Sequence, residues 1–283
     1  MQIDPGKNLG KTVTGLEHFL DSPPEWVAGA RLGLLCNPAS VDSRYRHARD
    51  LIARHFPGQL RALFAPQHGF FAEKQDNMIE SADMVDPGLD LPVFSLYGQT
   101  RIPDRGMFDP IDVLLVDLQD VGTRVYTFVY TLAYCMEAAR KYDRKVVVLD
   151  RPNPINGLAV EGNCLDPEYA SFVGRYPIPM RHGLTIGELA RLFNEAFAIG
   201  CDLEIVPLKN WQRRMYFKDS GLPEEDCRNC LKVYSSQSDF GHVFLFNLAY
   251  FRKYGSITLG TSGDYIAMCG YDNTTKKQVL GSN

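Results

Sequence analysis

Asp117, Gln119, Asp120 and Arg124 crowd into eight residues of the chain, and their types suit acid–base or nucleophilic chemistry. Two carboxylates so close can divide the roles of acid, base and nucleophile when burial separates their proton affinities. Asp120 also has a purely structural reading, as the cap of the following helix with Arg124 as its ion-pair partner. Asp117 has no such ready explanation. A second cluster, Asp150-Arg151-Pro152-Asn153-Pro154, sets an Arg beside an Asn, a combination suited to bidentate capture of a carboxylate or sugar hydroxyls. Its structural alternative is an Asn-Pro turn held by an Asp–Arg pair. In Gln67-His68-Gly69-Phe70 the imidazole suits a proton shuttle or a donor to an oxyanion. Glu73, Asp76 and Glu80 follow as polar-loop carboxylates, for which solvated charge is the plainer reading. Glu161-Gly162 and Arg181-His182-Gly183 place functional side chains beside glycines that permit close backbone approach to a ligand, or that simply serve turns.

The elements that must position these residues are short apolar runs. Leu32–Cys36 ends at Asn37-Pro38, Leu60–Ala65 at Pro66-Gln67-His68-Gly69, Val113–Val116 at Asp117, and Val146–Leu149 at Asp150. Runs of this length with helical stretches between them predict buried parallel strands, and Leu203–Pro207 predicts a fifth. The expected fold class is α/β: a doubly wound, mostly parallel, Rossmann-like sheet whose polar strand ends converge on one crevice. A helix is expected after Gly122, with Val125, Phe128, Val129, Leu132, Met136 and Ala139 on its buried face. Another opens at Leu184, where Thr185 and Glu188 have capping-box spacing and Leu184 and Leu189 that of a hydrophobic staple. That cap accounts for Glu188, which receives no chemical role, and Gly200 is placed to end this helix. His182 sits just before the helix, whose N-terminus favours an anion. A lead-in helix and a Pro23-Pro24 turn precede the sheet.

At 283 residues, with 45% hydrophobic and 23% charged side chains, the chain can bury a large core. A formal net charge of -4 supplies no basic field, so no nucleic-acid partner is expected. The apolar runs are too short to span a bilayer, and the N-terminal residues lack the pattern of a secretory signal. The odd count of 7 cysteines, scattered and partly in apolar stretches, fits reduced thiols and a cytoplasmic location. Cys227-x-x-Cys230, with His242 and Cys269, matches no standard zinc spacing, so no metal is expected. Neither a Gly-rich phosphate loop nor a serine nucleophile elbow occurs, and no cofactor is expected. The character changes after about Gly221, dividing the chain into a Rossmann-like domain, 1–221, and an atypical or truncated C-terminal segment, 222–283.

Six stretches in order carry a resemblance over about residues 30–223. They are Phe64–Phe70, Ser95-Leu96-Tyr97-Gly98, Asp117–Arg124, Leu149–Pro154, Ser171-Phe172-Val173-Gly174 and Pro179–Thr185. The chain resembles the exo-acting beta-N-acetylmuramidases of the NamZ type, formerly a domain of unknown function. The resemblance implies a Rossmann-like domain that removes N-acetylmuramic acid from non-reducing ends of peptidoglycan fragments, with a role in cell-wall recycling. It implies a muramic-acid-containing sugar as partner, whose lactyl carboxylate Arg124, Arg151 or Arg181 could bind. Members typically carry Glu where this chain has Gln67, and an amide cannot act as a general acid or base. Either the chemistry falls to Glu73, Asp120 or Glu161, or the reaction differs from that of the family. The Ser-Pro-Asn and Glu-Gly-Thr motifs of the family's C-terminal domain do not follow Pro223. The residues expected at the chemistry are His68, Asp120, Glu161 and His182, with Gln67, Arg124, Asp150, Arg151, Asn153 and Arg181 holding substrate. The alternative is a non-catalytic muramic-acid or sugar-binding protein, or an inactive truncated relative.

Overall fold

The structure, a computed structural model, describes residues 10–66, 82–98 and 100–222 in full, and the backbone of five further strands. The five expected strands form as β1 (Leu32–Cys36), β2 (Leu60–Ala65), β5 (Val113–Asp117), β6 (Lys145–Leu149) and β9 (Leu203–Val206); four more that the sequence did not announce are β3 (Met84–Val85), β4 (Pro92–Ser95) and the paired β7 (Glu161–Cys164) and β8 (Pro179–Arg181). The main sheet runs in the order β3-β4-β2-β1-β5-β6-β9. All neighbouring pairs are parallel except β3 with β4 at the edge. Counting only the parallel strands, this is the doubly wound order 3-2-1-4-5-6, which reverses direction between β1 and β5. The chain is α/β, as expected.

Side-chain alternation along each strand feeds a separate core on each face. Leu35, Phe64, Leu114, Val116, Val146 and Val148 pack toward the short α3 (Arg105–Phe108), α4 (Phe128–Lys141) and α5 (Ile186–Glu195). Leu34, Leu63, Leu115, Val147 and Leu149 pack the other way, toward α1 (Gly15–Asp21) and α2 (Ala48–His55). Burying one such side chain contributes roughly 1.5–3 kcal/mol, so the two layers together fix where each strand ends.

The capping box at Thr185 and Glu188 is present, and Leu189 beyond it is fully buried. Two details depart from expectation. Gly200 does adopt φ +67°, but α5 has already stopped at Glu195, and Ala198 takes a left-handed conformation first. The helix after Gly122 begins only at Phe128. Gly122 has φ +85°, the Arg124 N–H donates to the Met180 carbonyl at 2.8 Å, and Thr123 bridges to Arg181. Backbone groups that would have opened a helix are bonded to β8 instead, so Asp120 caps no helix and Val125 lies outside α4.

No helix among the described residues is long and apolar enough to cross a membrane, and no cluster of three or more His, Cys, Asp or Glu among them could hold a metal. Cys36, Cys135 and Cys201 are buried free thiols and Cys164 an exposed one. Beyond residue 230, β10 (Leu231–Ser235) pairs with β11 (Val243–Asn247), and β12 (Ser256–Ser262), β13 (Tyr265–Asp272) and β14 (Lys277–Leu280) form a second small antiparallel sheet.

Candidate active site

Three polar strand ends and the 150–185 connection meet beyond the carboxyl edge of the sheet. At the end of β5 the Asp117 carboxylate is fully buried and grips Arg151, from the end of β6, in a two-pronged pair. Nε lies 2.5 Å from Oδ1 and Nη2 2.8 Å from Oδ2. Nη2 also donates to the Val41 carbonyl at 2.9 Å. The loop after β1 joins the same node through Ser40, whose hydroxyl donates to the Asp117 carbonyl, and through Asn37, whose N–H donates to that hydroxyl at 2.9 Å. The Asp–Arg pair anticipated within one strand end therefore forms between strand ends, locking β1, β5 and β6 together.

Asp150 faces a different task. Its Oδ1 accepts from the Gly187 and Arg151 N–H groups at 2.8 and 3.0 Å, and its Oδ2 from the Thr185 hydroxyl at 2.9 Å. It thus ties β6 to the N-terminus of α5, where a negative charge is favoured. Gly187 is required here, because a Cβ would stand 2.8 Å from the Asp150 Cγ. Burial still dominates over these donors and pushes the Asp150 carboxyl up to about 6. Asn153 closes a neighbouring turn, accepting from the Ile155 N–H at 3.0 Å and donating to the Leu184 carbonyl at 2.9 Å.

The feature best suited to chemistry lies between these struts. His182 Nε2 stands 3.2 Å from Asp120 Oδ2, with both side chains almost wholly buried. His182 Nδ1 accepts from the Leu184 N–H at 3.1 Å, so a neutral imidazole must carry its proton on Nε2, facing the carboxylate. That approach is off-line for a hydrogen bond, and Nε2 has no hydrogen-bond partner. Asp120 Oδ2 also accepts from the Gly122 N–H at 2.8 Å, while its Oδ1 is buried without a partner. The hydroxyl of Tyr126 is likewise buried and unpartnered; burial, then the nearby Asp120 charge, pushes this phenol well above its ordinary range. An oriented imidazole, a carboxylate with one free oxygen and a dry phenol are the parts of a proton-transfer site.

The arginines differ in what they retain for a ligand. Arg124 Nη1 donates to the Asn163 and Ile178 carbonyls at 2.8 and 2.9 Å, pinning the β7–β8 hairpin to the β5 loop. Arg181 donates to the Ile155 carbonyl and, at 3.0 Å, to Glu161 Oε2, but its Nε is buried without a partner. Among the described residues expected at the chemistry, Glu161 is the most open, its side chain 54% exposed on β7. Asp120, His182, Arg124, Asn153, Asp150, Arg151, Arg181 and Glu161 thus gather around one region, linked by contacts among themselves or through shared neighbours. Gln67, His68, Glu73, Asp76 and Glu80 lie outside the described residues. Tyr126 and Tyr130 were not singled out from the sequence. Tyr130 donates to the Arg124 carbonyl at 2.6 Å. The available signal was that a tyrosine on an apolar helix face brings a hydroxyl that needs a partner.

Residues 32–226 match the family model described as exo-beta-N-acetylmuramidase NamZ, N-terminal. The chain belongs to that family. It is 46% identical over 213 residues to the peptidoglycan beta-N-acetylmuramidase NamZ of Bacillus subtilis (strain 168), covering 75% of this chain and 51% of that protein. Two solved structures of DUF1343 family proteins from Bacteroides fragilis NCTC 9343 are similar to it. One has a TM-score of 0.69 at 38% identity, covering 75% of this chain and 54% of the other; the second has 0.62 at 31%, covering 73% and 54%. The chain spans about half the length of these NamZ-family relatives. The match ends close to where the described parallel-sheet unit ends, so the Asp120–His182 pair lies inside the part that the relatives share.

Proposed function

We propose that this protein is an exo-beta-N-acetylmuramidase-type glycoside hydrolase that releases N-acetylmuramic acid from the non-reducing ends of peptidoglycan fragments. The observation that carries the reading is the buried Asp120–His182 pair at the end of β5, within a chain of the NamZ family. Glycoside cleavage ordinarily uses two carboxyl groups. Asp120 is the buried member and Glu161 the exposed one, with His182 holding a proton against Asp120. Arg181, with an unpartnered Nε and an exchangeable, half-exposed Glu161 partner, is the arginine best placed to take the lactyl carboxylate. Asp150, Arg151 and Asn153 then act by holding the strand ends in position. His68 and Gln67 remain further candidates for contact with the sugar. The unit 1–221 carries this chemistry, and 222–283 is a separate, atypical segment.

Free, buried thiols fit a reducing cytoplasm and a role in cell-wall recycling. Gln67, which cannot donate a proton, favours a second reading as a non-catalytic muramic-acid-binding protein. A chromogenic beta-N-acetylmuramide and the matching N-acetylglucosaminide separate the two readings. Release from the muramide supports the hydrolase; binding of the muramide without release supports the binding protein.

A further inference from the structure

Beside Asp120 sits a second buried polar side chain with one end tied and the other free. Gln119 is 4% exposed, and its amide nitrogen donates to two backbone carbonyls, Asp120 O at 2.7 Å and Pro152 O at 3.0 Å. Those two bonds use both of its N–H groups and fix which way the amide faces. The remaining atom, Oε1, is buried and has no hydrogen-bond partner. A buried carbonyl oxygen left unsatisfied costs on the order of 1–3 kcal/mol, so its persistence beside a candidate catalytic carboxylate calls for a ligand that donates to it.

We infer that Gln119 is a specificity-determining residue that accepts a hydrogen bond from the acetamido N–H of the sugar whose bond is cleaved. This rests on the hydrolase reading above. Because both N–H groups are engaged, Oε1 can only accept, so it cannot recognise the lactyl carboxylate, which has no proton to give at neutral pH. An N-acetylmuramyl unit has few donors: the acetamido N–H at C2 and the hydroxyls at C4 and C6, since C3 carries the lactyl ether. Of these donors only the acetamide at C2 stands on a carbon bonded to the glycosidic carbon, so it is the one nearest the bond that Asp120 would serve and nearest the adjoining Gln119.

The test measures binding of two methyl beta-glycosides to the whole chain by calorimetry. One is the N-acetylmuramide; the other is its 2-deoxy analogue, which has no donor at C2. The wild-type protein should prefer the acetamide by about 10-fold, the value of one net hydrogen bond to a buried acceptor. Gln119→Met should lose that preference, weakening the acetamide about 10-fold while holding the deoxy ligand within about two-fold. Equal weakening of both ligands would reveal a structural role only and overturn the inference, as would a wild-type protein that does not distinguish them. The wild-type comparison holds even where the variant misfolds, which its melting curve would show. A wild-type chain that binds neither glycoside overturns the hydrolase reading and this inference with it; one that hydrolyses the chromogenic muramide without discriminating at C2 overturns the inference only.

Discussion

Replacing Arg151 with methionine should destabilise the fold by about 3–5 kcal/mol, because it strands a buried carboxylate. Asp117 has no exposed surface and Arg151 only 4%, and the two N–O contacts measure 2.5 and 2.8 Å. Each charge-assisted hydrogen bond to a buried group is worth roughly 1.5–3 kcal/mol, so two of them sum to about the same figure as the loss of one buried partner. The third donor contact, to the Val41 carbonyl, is lost with the same side chain and loosens the loop after β1. Urea unfolding followed by circular dichroism reads the change directly as a shifted midpoint at constant slope. Against a total stability of about 5–15 kcal/mol, the variant should be visibly fragile at room temperature. The double variant Asp117→Leu with Arg151→Met should recover much of the loss, since a well-packed apolar pair can replace a buried ion pair. A single variant that keeps its wild-type midpoint but loses sugar affinity would refute this account and return Arg151 to the substrate-binding role its sequence context suggested.

Asp120→Asn keeps an oxygen for the Gly122 N–H but removes the charge facing His182, so turnover of a chromogenic muramide should fall about 10²–10⁴-fold with KM little changed. More than a tenth of wild-type turnover would remove Asp120 from the chemistry. The raised Asp150 carboxyl binds its proton more tightly in the folded chain than in the unfolded one, so its contribution is complete below about pH 4 and is lost as pH rises through about 6. Wild type should therefore lose on the order of 2–3 kcal/mol relative to Asp150→Asn between pH 4 and pH 7 in parallel urea titrations, and parallel curves would contradict this linkage. Gly187→Ala forces a Cβ to 2.8 Å from both Asp150 Cγ and Ile205 Cγ2, and overpacking of this kind costs about 1–3 kcal/mol. Differential scanning calorimetry should show a melting point lower by about 2–10 °C, and an unchanged one would mean α5 can slide away from β6.

Local chemistry was enough to locate the strands and their polar ends. Leu32–Cys36, Leu60–Ala65, Val113–Asp117, Lys145–Leu149 and Leu203–Val206 are short, apolar and bounded by turn-forming residues, and each forms where that pattern placed it. The Thr185–Glu188 cap was equally legible, since every group it needs lies within four residues. Convergence of the β5 and β6 ends on one region followed from the parallel arrangement itself. Tertiary structure decided what depends on distant partners. Strands buried on both faces are apolar throughout, so their composition does not say which neighbour each will take, and the order β3-β4-β2-β1-β5-β6-β9 emerges only from the packing. Pro92–Ser95 is too short and too proline-bound to announce itself as a strand. Residues 123–127 read as the start of a helix, but Thr123 and Arg124 pair with β8, more than fifty residues onward; the same region sets Asp120 near His182 and contains Gln119 and Tyr126 with buried, unshared polar atoms. Whether an arginine at a strand mouth binds a ligand or braces the sheet likewise depends on what stands opposite it. For Arg151 that is Asp117, thirty-four residues away in the chain and 2.5 Å away in the fold.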